Sequence, residues 1–254
     1  MKRLAADEEK LRAFAEGRGF TVGSVFCFDR VDSTMDVAFH LYEQGAGNRS
    51  IVLSREQKRG RGRFGKRWIS TTGGLYVSII LRVFDYEIPY SMVASYGVYR
   101  ALHKLHLRVT LKWINDVLSQ EGRKIAGVLS EEREGCTAIG VGVNLNTDRF
   151  PPELEGSATS YVLETGKTID PVDFLCHLLE ELFPLLDRAH GGEIEQLMEA
   201  WEREASLRGR MVRVVGDCGE VRGVVTGIHR RTGALLVAAD NLIQEVYGGN
   251  LIYC

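Results

Sequence analysis

The residues with the clearest potential for chemistry form a basic, glycine-rich segment from Arg55 to Trp68, which reads R-E-Q-K-R-G-R-G-R-F-G-K-R-W. It carries seven Lys or Arg side chains and one acid in a chain whose formal net charge is −2, so the positive charge is local. Gly60, Gly62 and Gly65 allow tight turns and free N–H groups, and arginine donors suit phosphate or carboxylate. The segment is predicted to bind an anion, with a solvated basic loop as an equal alternative.

Two nucleotide-binding motifs match this segment without fitting its context. Residues 60–65 satisfy the dinucleotide pattern G-x-G-x-x-G, and residues 60–66 satisfy the P-loop pattern except for its last position, where Arg67 replaces Ser or Thr. Both motifs need a helix directly after the glycines, whereas residues 68–81 read as a turn and then a strand. A protein-kinase loop does lie between strands, but the chain has neither H-R-D nor D-F-G. These three classes are therefore excluded.

Polar residues interrupt apolar strands at a second place. Lys112-Trp113-Ile114-Asn115-Asp116 is followed, after a short turn, by K-I-A-G-V-L-S-E from Lys124 to Glu131. Asn-Asp pairs are also common in plain turns, and a lysine that opens a strand is usually exposed, so each residue alone is a weak signal.

A third pattern predicts a strand face without side chains. With a strand period of two, Gly140, Gly142 and Asn144 share one face, and a flat ligand could lie there. The alternative is a glycine pair that accommodates a packed neighbouring strand. Ser33 or Thr34 is expected to cap a helix, where free N–H groups and hydroxyls could also receive a carbonyl or ureido oxygen.

Short apolar runs separated by turns predict the sheet that must hold these residues. The turn at residues 120–123 joins two runs directly, which favours antiparallel pairing and an α+β class. We expect a mixed, largely antiparallel sheet flanked by helices. Predicted strands are 24–28, 51–54, 75–81, 109–118, 125–130 and 137–144, and predicted helices are 4–16, 34–44, 89–106, 171–189 with a kink at Pro184, and 193–206.

After Gly209 the chain changes to short β-branched runs punctuated by glycine, which is typical of a small barrel. We place a domain boundary near Leu207, which separates residues 1–206 from residues 207–254.

Composition excludes several classes. The 254 residues are 26% charged and 44% hydrophobic, as in ordinary globular proteins, and no apolar run is long enough to span a membrane. A charged start without a signal-peptide pattern favours a cytoplasmic location. The five cysteines, at positions 27, 136, 176, 218 and 254, are too widely spaced for a zinc or redox motif and are expected to be reduced thiols.

Taken in order, Ser33-Thr34, Gln57 with the G-R-G-R-F-G-K-R-W run, K-W-I-N-D, K-I-A-G-V-L-S-E and G-V-G-V-N resemble biotin protein ligase over most of the chain. The C-terminal segment resembles that family's small SH3-like β-barrel. The resemblance implies a biotin/lipoyl transferase-like catalytic domain, related to class II aminoacyl-tRNA synthetases. It also implies a two-step reaction in which biotin and MgATP form biotinyl-5′-AMP, and a lysine of a biotin carboxyl carrier protein or domain then displaces AMP.

The resemblance also implies roles for residues. Lys124, Arg61 and Asp116 would be catalytic, with Lys124 the first choice because it would donate to the biotin carboxylate and the α-phosphate. The biotin site would comprise Ser33, Thr34, Gln57, Gly60, Arg61, Gly62, Arg63, Lys124 and Gly127, and the ATP or adenylate site would comprise Arg61, Arg63, Lys66, Trp68, Asn115 and Asn144. The ligands of the Mg²⁺ ion are unknown.

Three positions depart from the family pattern: Ile114 replaces a usual Pro, Phe64 a common third Arg, and Lys66 a common Arg. The start of the chain is too short for a three-helix DNA-binding module, so we expect a ligase without DNA binding, with a homodimer as one assembly it could form. The nearest alternative is a lipoate or octanoyl transferase. The other is a non-catalytic nucleic-acid-binding module that uses the basic segment. The basic segment should be mobile until an anion binds.

Overall fold

A computed structural model describes residues 1–82, 88–216 and 219–254. Cys218, expected to be a free thiol, lies outside the described residues. The other four cysteines are free thiols. No helix in the described ranges is long and apolar enough to cross a membrane.

The N-terminal part of the chain builds one large mixed sheet. Its strands are β1 (Val25–Val31), β2 (Ser50–Arg61), β3 (Arg67–Ser70), β4 (Leu75–Leu81), β5 (Val109–Lys112), β6 (Asp116–Ser119), β7 (Lys124–Arg133) and β8 (Cys136–Val143). They lie in the order β1-β2-β4-β8-β7-β6-β5, with β3 paired to β2. Only the β1–β2 pairing is parallel among these described strands. The largely antiparallel α+β prediction is confirmed.

Helices cover both faces of this sheet, which explains why β4 is apolar at almost every position. Val77 and Ile79 belong to the larger hydrophobic core, and Ile80 belongs to a second core that packs under Met35 and Phe39. The helices are α1 (Ala5–Gly17), α2 (Thr34–Glu43), α3 (Tyr90–Lys104), α4 (Tyr161–Thr165), α5 (Pro171–His190) and α6 (Ile194–Ala205). The second core lies beneath α2, whereas α3 and α5 pack on the larger one.

Two predicted strands differ most from the structure. The run 109–118 is not one strand, because the chain reverses at residues 113–115 and pairs β5 with β6 as a hairpin. The strand predicted at 51–54 continues to Arg61, so half of the basic segment belongs to β2 and pairs with β3. The segment is therefore a hairpin, with a 3-10 turn at 63–65, and not an irregular loop. Helix α5 continues through Pro184 as one element.

A five-stranded antiparallel sheet follows at the C-terminal end, in the order β12-β11-β10-β9-β13. Its strands are β9 (Met211–Gly216), β10 (Gly219–Ile228), β11 (Leu235–Ala239), β12 (Leu242–Val246) and β13 (Asn250–Tyr253). The helix-to-strand change occurs near the boundary predicted at Leu207. Leu207 and Leu251 nevertheless belong to the same hydrophobic core as the large sheet.

Polar contacts also join the two sheets. The Trp113 indole N–H donates to the Gly233 carbonyl at 2.9 Å. Glu202, 7% exposed at its side chain, pairs with Arg208 at 3.0 Å and with Arg230 at 2.8 Å. The C-terminal sheet is thus held against the β5–β6 turn by Trp113 and against α6 by Glu202.

Candidate functional site

A cavity of about 190 Å³ lies where the β1–α2 junction, the β2–β3 hairpin and the β5–β6 turn meet on one face of the sheet. Motifs that are separated in sequence converge there because they all lie on this face. The predicted site residues that line the cavity are Ser33, Thr34, Gln57, Arg61, Gly62, Arg63, Lys66, Trp68, Asn115, Asp116, Lys124 and Gly127.

The start of α2 is organised by a side chain from β2. Ser33 occupies the N-cap position, but its side chain caps no N–H group, which corrects the expected hydroxyl cap. Gln57 performs this task, since its Oε1 accepts from the Thr34 N–H at 2.8 Å and from the Thr34 hydroxyl at 3.1 Å. The Ser33 residue is only 1% exposed, and its Oγ has no hydrogen-bond partner among the described residues. A buried polar group facing a cavity in this way is available to a ligand.

The glycine floor is formed by Gly140 and Gly142, the predicted pair on β8, together with Gly127 on β7. Residues on the opposite face of β8 are buried in the core, while these glycines face the cavity. A Cβ added at Gly142 would lie 2.5 Å from Trp68 Cε2, and one at Gly127 would lie 3.0 Å from Trp68 Cζ3. The indole therefore lies directly on two of the glycines, in space that any side chain there would occupy.

Cationic groups converge on one carboxylate beside this floor. Lys124 Nζ lies 2.6 Å from Asp116 Oδ1 and 5.3 Å from the centroid of the Trp68 ring. Arg63 donates to Asn115 Oδ1 at 3.3 Å, and the Asn115 amide donates to the Val128 carbonyl. This network fixes the polar side chains of the β5–β6 turn. It also aims an ammonium and a guanidinium at the cavity.

Burial makes this region electrostatically unusual. It lowers the pKa of the Arg63 guanidinium, against the opposing effect of Asp116. Burial also lowers the pKa of Lys112, and the charges of Lys124 and Lys66 add to that shift. Two half-buried cations whose pKa values are lowered mainly by burial would be stabilised in their charged forms by a bound anion.

Lys112 is a lining residue that the sequence analysis did not select. It pairs directly with Asp116 across the β5–β6 hairpin, in register. Its position at the start of the K-W-I-N-D run was the available signal. The sequence shows that Lys112 lies beside Asp116 only if residues 113–115 are recognised as a turn.

Arg61 lines the cavity but is engaged elsewhere. Its guanidinium lies 2.6 Å from Asp36 on α2 and 2.5 Å from Glu131 on β7. The arginine predicted to close over the adenylate therefore ties the hairpin to two neighbouring elements in this structure.

Two predicted site residues do not line the cavity. Gly60 is buried in the β2–β3 hairpin, in register with Trp68. Asn144 follows β8, and its amide donates to the Thr159 carbonyl at 3.0 Å, so it supports a loop below the floor. The alternation that put Asn144 on the open face ends with the strand itself, at Val143.

The C-terminal sheet forms one wall of the cavity, and the sequence analysis did not predict this contribution. Gly249, Asn250 and Leu251 line the cavity, and a Cβ added at Gly248 would lie 3.4 Å from Arg63 Nη2. The glycine pair before the last strand was the only signal in the sequence for this approach.

Comparison with known proteins places this geometry in a family. Residues 27–148 match the Biotin/lipoate A/B protein ligase family. The chain is 31% identical to a biotin--[acetyl-CoA-carboxylase] ligase of Paracoccus denitrificans, over 82% of this chain and 91% of that one. It is 30% identical to the bifunctional ligase/repressor BirA of Bacillus spizizenii, over 88% and 72% respectively.

A structural match agrees. The biotin protein ligase from Aquifex aeolicus in complex with biotin and ATP superposes with a TM-score of 0.81 at 28% identity, covering 91% of this chain and 98% of that chain. The chain therefore belongs to the biotin/lipoate protein ligase family, as a member of its biotin protein ligases.

Proposed function

We propose that this protein activates biotin with ATP as biotinyl-5′-AMP and transfers the biotinyl group to a lysine of a biotin carboxyl carrier protein or domain. One observation carries the proposal: the Lys124–Asp116 pair lies beside a glycine floor, in a cavity that also holds the Ser33 hydroxyl, to which no described residue hydrogen-bonds. The hydroxyl groups at α2, the glycine floor and the cationic centre follow one another in the same order as the ureido group, the ring and chain, and the acyl phosphate of biotinyl-AMP.

Biotin's ureido group would occupy the end at α2. The Ser33 hydroxyl has no hydrogen-bond partner in the part of the chain that the structure describes, and Gln57 holds Thr34 in place beside it. The apolar ring and chain of biotin would lie on Gly140 and beside Met35, whose side chain lies against that glycine. Biotin would therefore occupy the part of the cavity that lies on the glycine floor.

The cationic centre would hold the reacting groups. In the first step, a carboxylate oxygen of biotin attacks the α-phosphorus, the bond to the bridging oxygen breaks, and pyrophosphate leaves. Lys124, Arg63, Lys66 and Lys112 would stabilise the charge that grows on the phosphate oxygens, and preorganised donors of this kind typically contribute several kcal/mol. Trp68 would pack on the nucleotide or close the hairpin over it.

In the second step, the acceptor amine attacks the acyl carbon, AMP leaves, and the amine loses a proton. Asp116, which pairs with Lys124, would orient the amine or accept that proton once the anionic ligand engages Lys124.

Magnesium fits the site only as part of MgATP. No group of three or more His, Cys, Asp or Glu side chains in the described ranges could hold a metal ion. Mg²⁺ commonly relies on one or two carboxylates together with substrate phosphates. Asp116, with the Asn115 amide beside it, is the donor set that this cavity offers. When bound, the ion would neutralise phosphate charge.

The experiment uses the purified chain with biotin, MgATP and a biotin carboxyl carrier domain, and it detects the labelled lysine by mass spectrometry. We expect labelling with biotin and not with lipoate, and Lys124→Ala should lose most of it. Lys167→Ala, an exposed lysine outside the cavity, is the matched control. Labelling with lipoate in preference to biotin would establish the alternative transferase activity, and full activity of Lys124→Ala would remove Lys124 from the mechanism.

A further inference from the structure

The outer side of the β2–β3 hairpin carries a second concave surface, which we call the basic groove. It has a volume of about 610 Å³ and is lined by six cations, Lys58, Arg59, Arg61, Arg63, Lys66 and Arg67. Among the described residues that line it, Glu131 is the one carboxylate, and it is already paired with Arg61.

Several of these cations have no counter-ion among the described residues. Arg59, Lys66 and Arg67 are exposed and pair with no described carboxylate, and Arg67 donates instead to the Lys58 carbonyl at 2.7 Å. Lys58 is 65% exposed and only reaches Asp32 at 4.0 Å. Like charges gathered on one hairpin repel one another, which favours an external anionic partner.

The groove adjoins the mouth of the cavity, because Arg61, Arg63, Lys66 and Arg67 line both. On the proposed function, the acceptor is a lysine, and its ammonium must enter past these same cations. That approach is unfavourable unless the acceptor domain brings negative charge beside its lysine. Carboxylates that flank the lysine would meet the basic groove as the lysine enters the cavity.

We propose that the basic groove is the docking surface for an acidic patch on the carrier domain, with Lys58 and Arg59 as its outermost contacts. The inference rests on the proposed function and adds to it the charge that the partner must carry. The groove acts on the second step of the reaction and not on the first. Its contribution is to association, which depends on ionic strength.

The test is the double variant Lys58→Glu/Arg59→Glu, compared with Lys167→Glu/Arg222→Glu. The control pair makes the same change in net charge at two exposed cations that line neither the groove nor the cavity. Biotin-dependent ATP–pyrophosphate exchange reports the first step and the fold, and kcat/KM for the carrier domain reports the second.

We expect exchange to be unchanged in both variants and kcat/KM for the carrier to fall on the order of tenfold in the groove variant alone at low salt. The difference should shrink as salt is raised, and the wild-type kcat/KM should itself fall with salt. Equal kcat/KM in the two variants, or a wild-type rate that salt does not change, would overturn the docking surface. Neither outcome would contradict the proposed function. The proposed function would be contradicted if the wild-type chain failed to label the carrier.

Nucleic acid is the other polyanion that such a groove could hold. Anisotropy titrations with duplex DNA decide between the two. Binding that weakens steeply with salt and is lost in the groove variant, with carrier labelling unaffected, would assign the groove to nucleic acid instead.

Discussion

Replacing Gly142 by alanine should weaken ligand binding, because the new methyl group enters the floor of the cavity. Its Cβ would lie 2.5 Å from Trp68 Cε2 and 2.7 Å from Nε1, where ordinary contacts begin at 3.4 Å. Trp68 would have to move by about 0.9 Å, which is the difference between the 3.4 Å of an ordinary contact and the 2.5 Å to Cε2. Overpacking of this kind typically costs about 1–3 kcal/mol.

In the free protein the hairpin can release part of that strain by lifting the indole away. In the complex both the ligand and Trp68 must share the floor, so we expect the penalty to appear in binding. It corresponds to a rise in the Kd for biotin and for a non-hydrolysable biotinyl-adenylate analogue of about 5- to 150-fold, measured by isothermal titration calorimetry. Gly47→Ala is the control, since a Cβ there meets nothing closer than 3.7 Å.

A double-mutant cycle identifies the origin of the effect. If the methyl group acts through the indole, Gly142→Ala should cost little in a Trp68→Ala background. The reasoning is refuted if Gly142→Ala binds within twofold of the wild type, or if its penalty is the same in both backgrounds.

Two further predictions separate binding from stability. Ser33→Ala should raise the thermal midpoint of the free protein by a few degrees, because an unsatisfied buried hydroxyl costs about 1–3 kcal/mol, and it should weaken biotin binding roughly tenfold. A lower midpoint in calorimetry would contradict the unpaired state of that hydroxyl. Because burial lowers the pKa of Lys112 in the fold, the unfolded chain binds that proton more tightly, and stability should rise as pH increases toward the ordinary lysine pKa of 10.5. Lys112→Met should flatten that rise in pH-dependent urea unfolding and reduce pyrophosphate exchange, and an unchanged slope would argue against the burial effect.

The sequence was most informative where one physical signal dominates. The apolar run 75–81 has the same bounds as β4. A strand that is covered on both faces is apolar at nearly every position, so its ends are marked by the first polar residues. The amphipathic run after Pro89 forms α3, beginning one residue after the proline. The five motifs that carried the family resemblance converge on one cavity because their strands are neighbours in the sheet.

The failures have equally specific causes. The turn at 113–115 contains no glycine or proline, so its apolar Trp and Ile read as strand. The pairing of Arg61 with Asp36 and Glu131 joins three elements that are far apart in the chain. No local pattern reports such tertiary contacts, and the same holds for the wall that Gly249–Leu251 adds to the cavity.

The seam between the two sheets has a consequence for chimaeras. Because the Trp113 indole depends on the Gly233 carbonyl and because Asn250 walls the cavity, an exchanged C-terminal segment must reproduce both contacts with its backbone. A C-terminal segment chosen only for its hydrophobic residues would pack against α6 and would still change the shape of the cavity. A graft between relatives should therefore carry the β5–β6 turn together with residues 207–254.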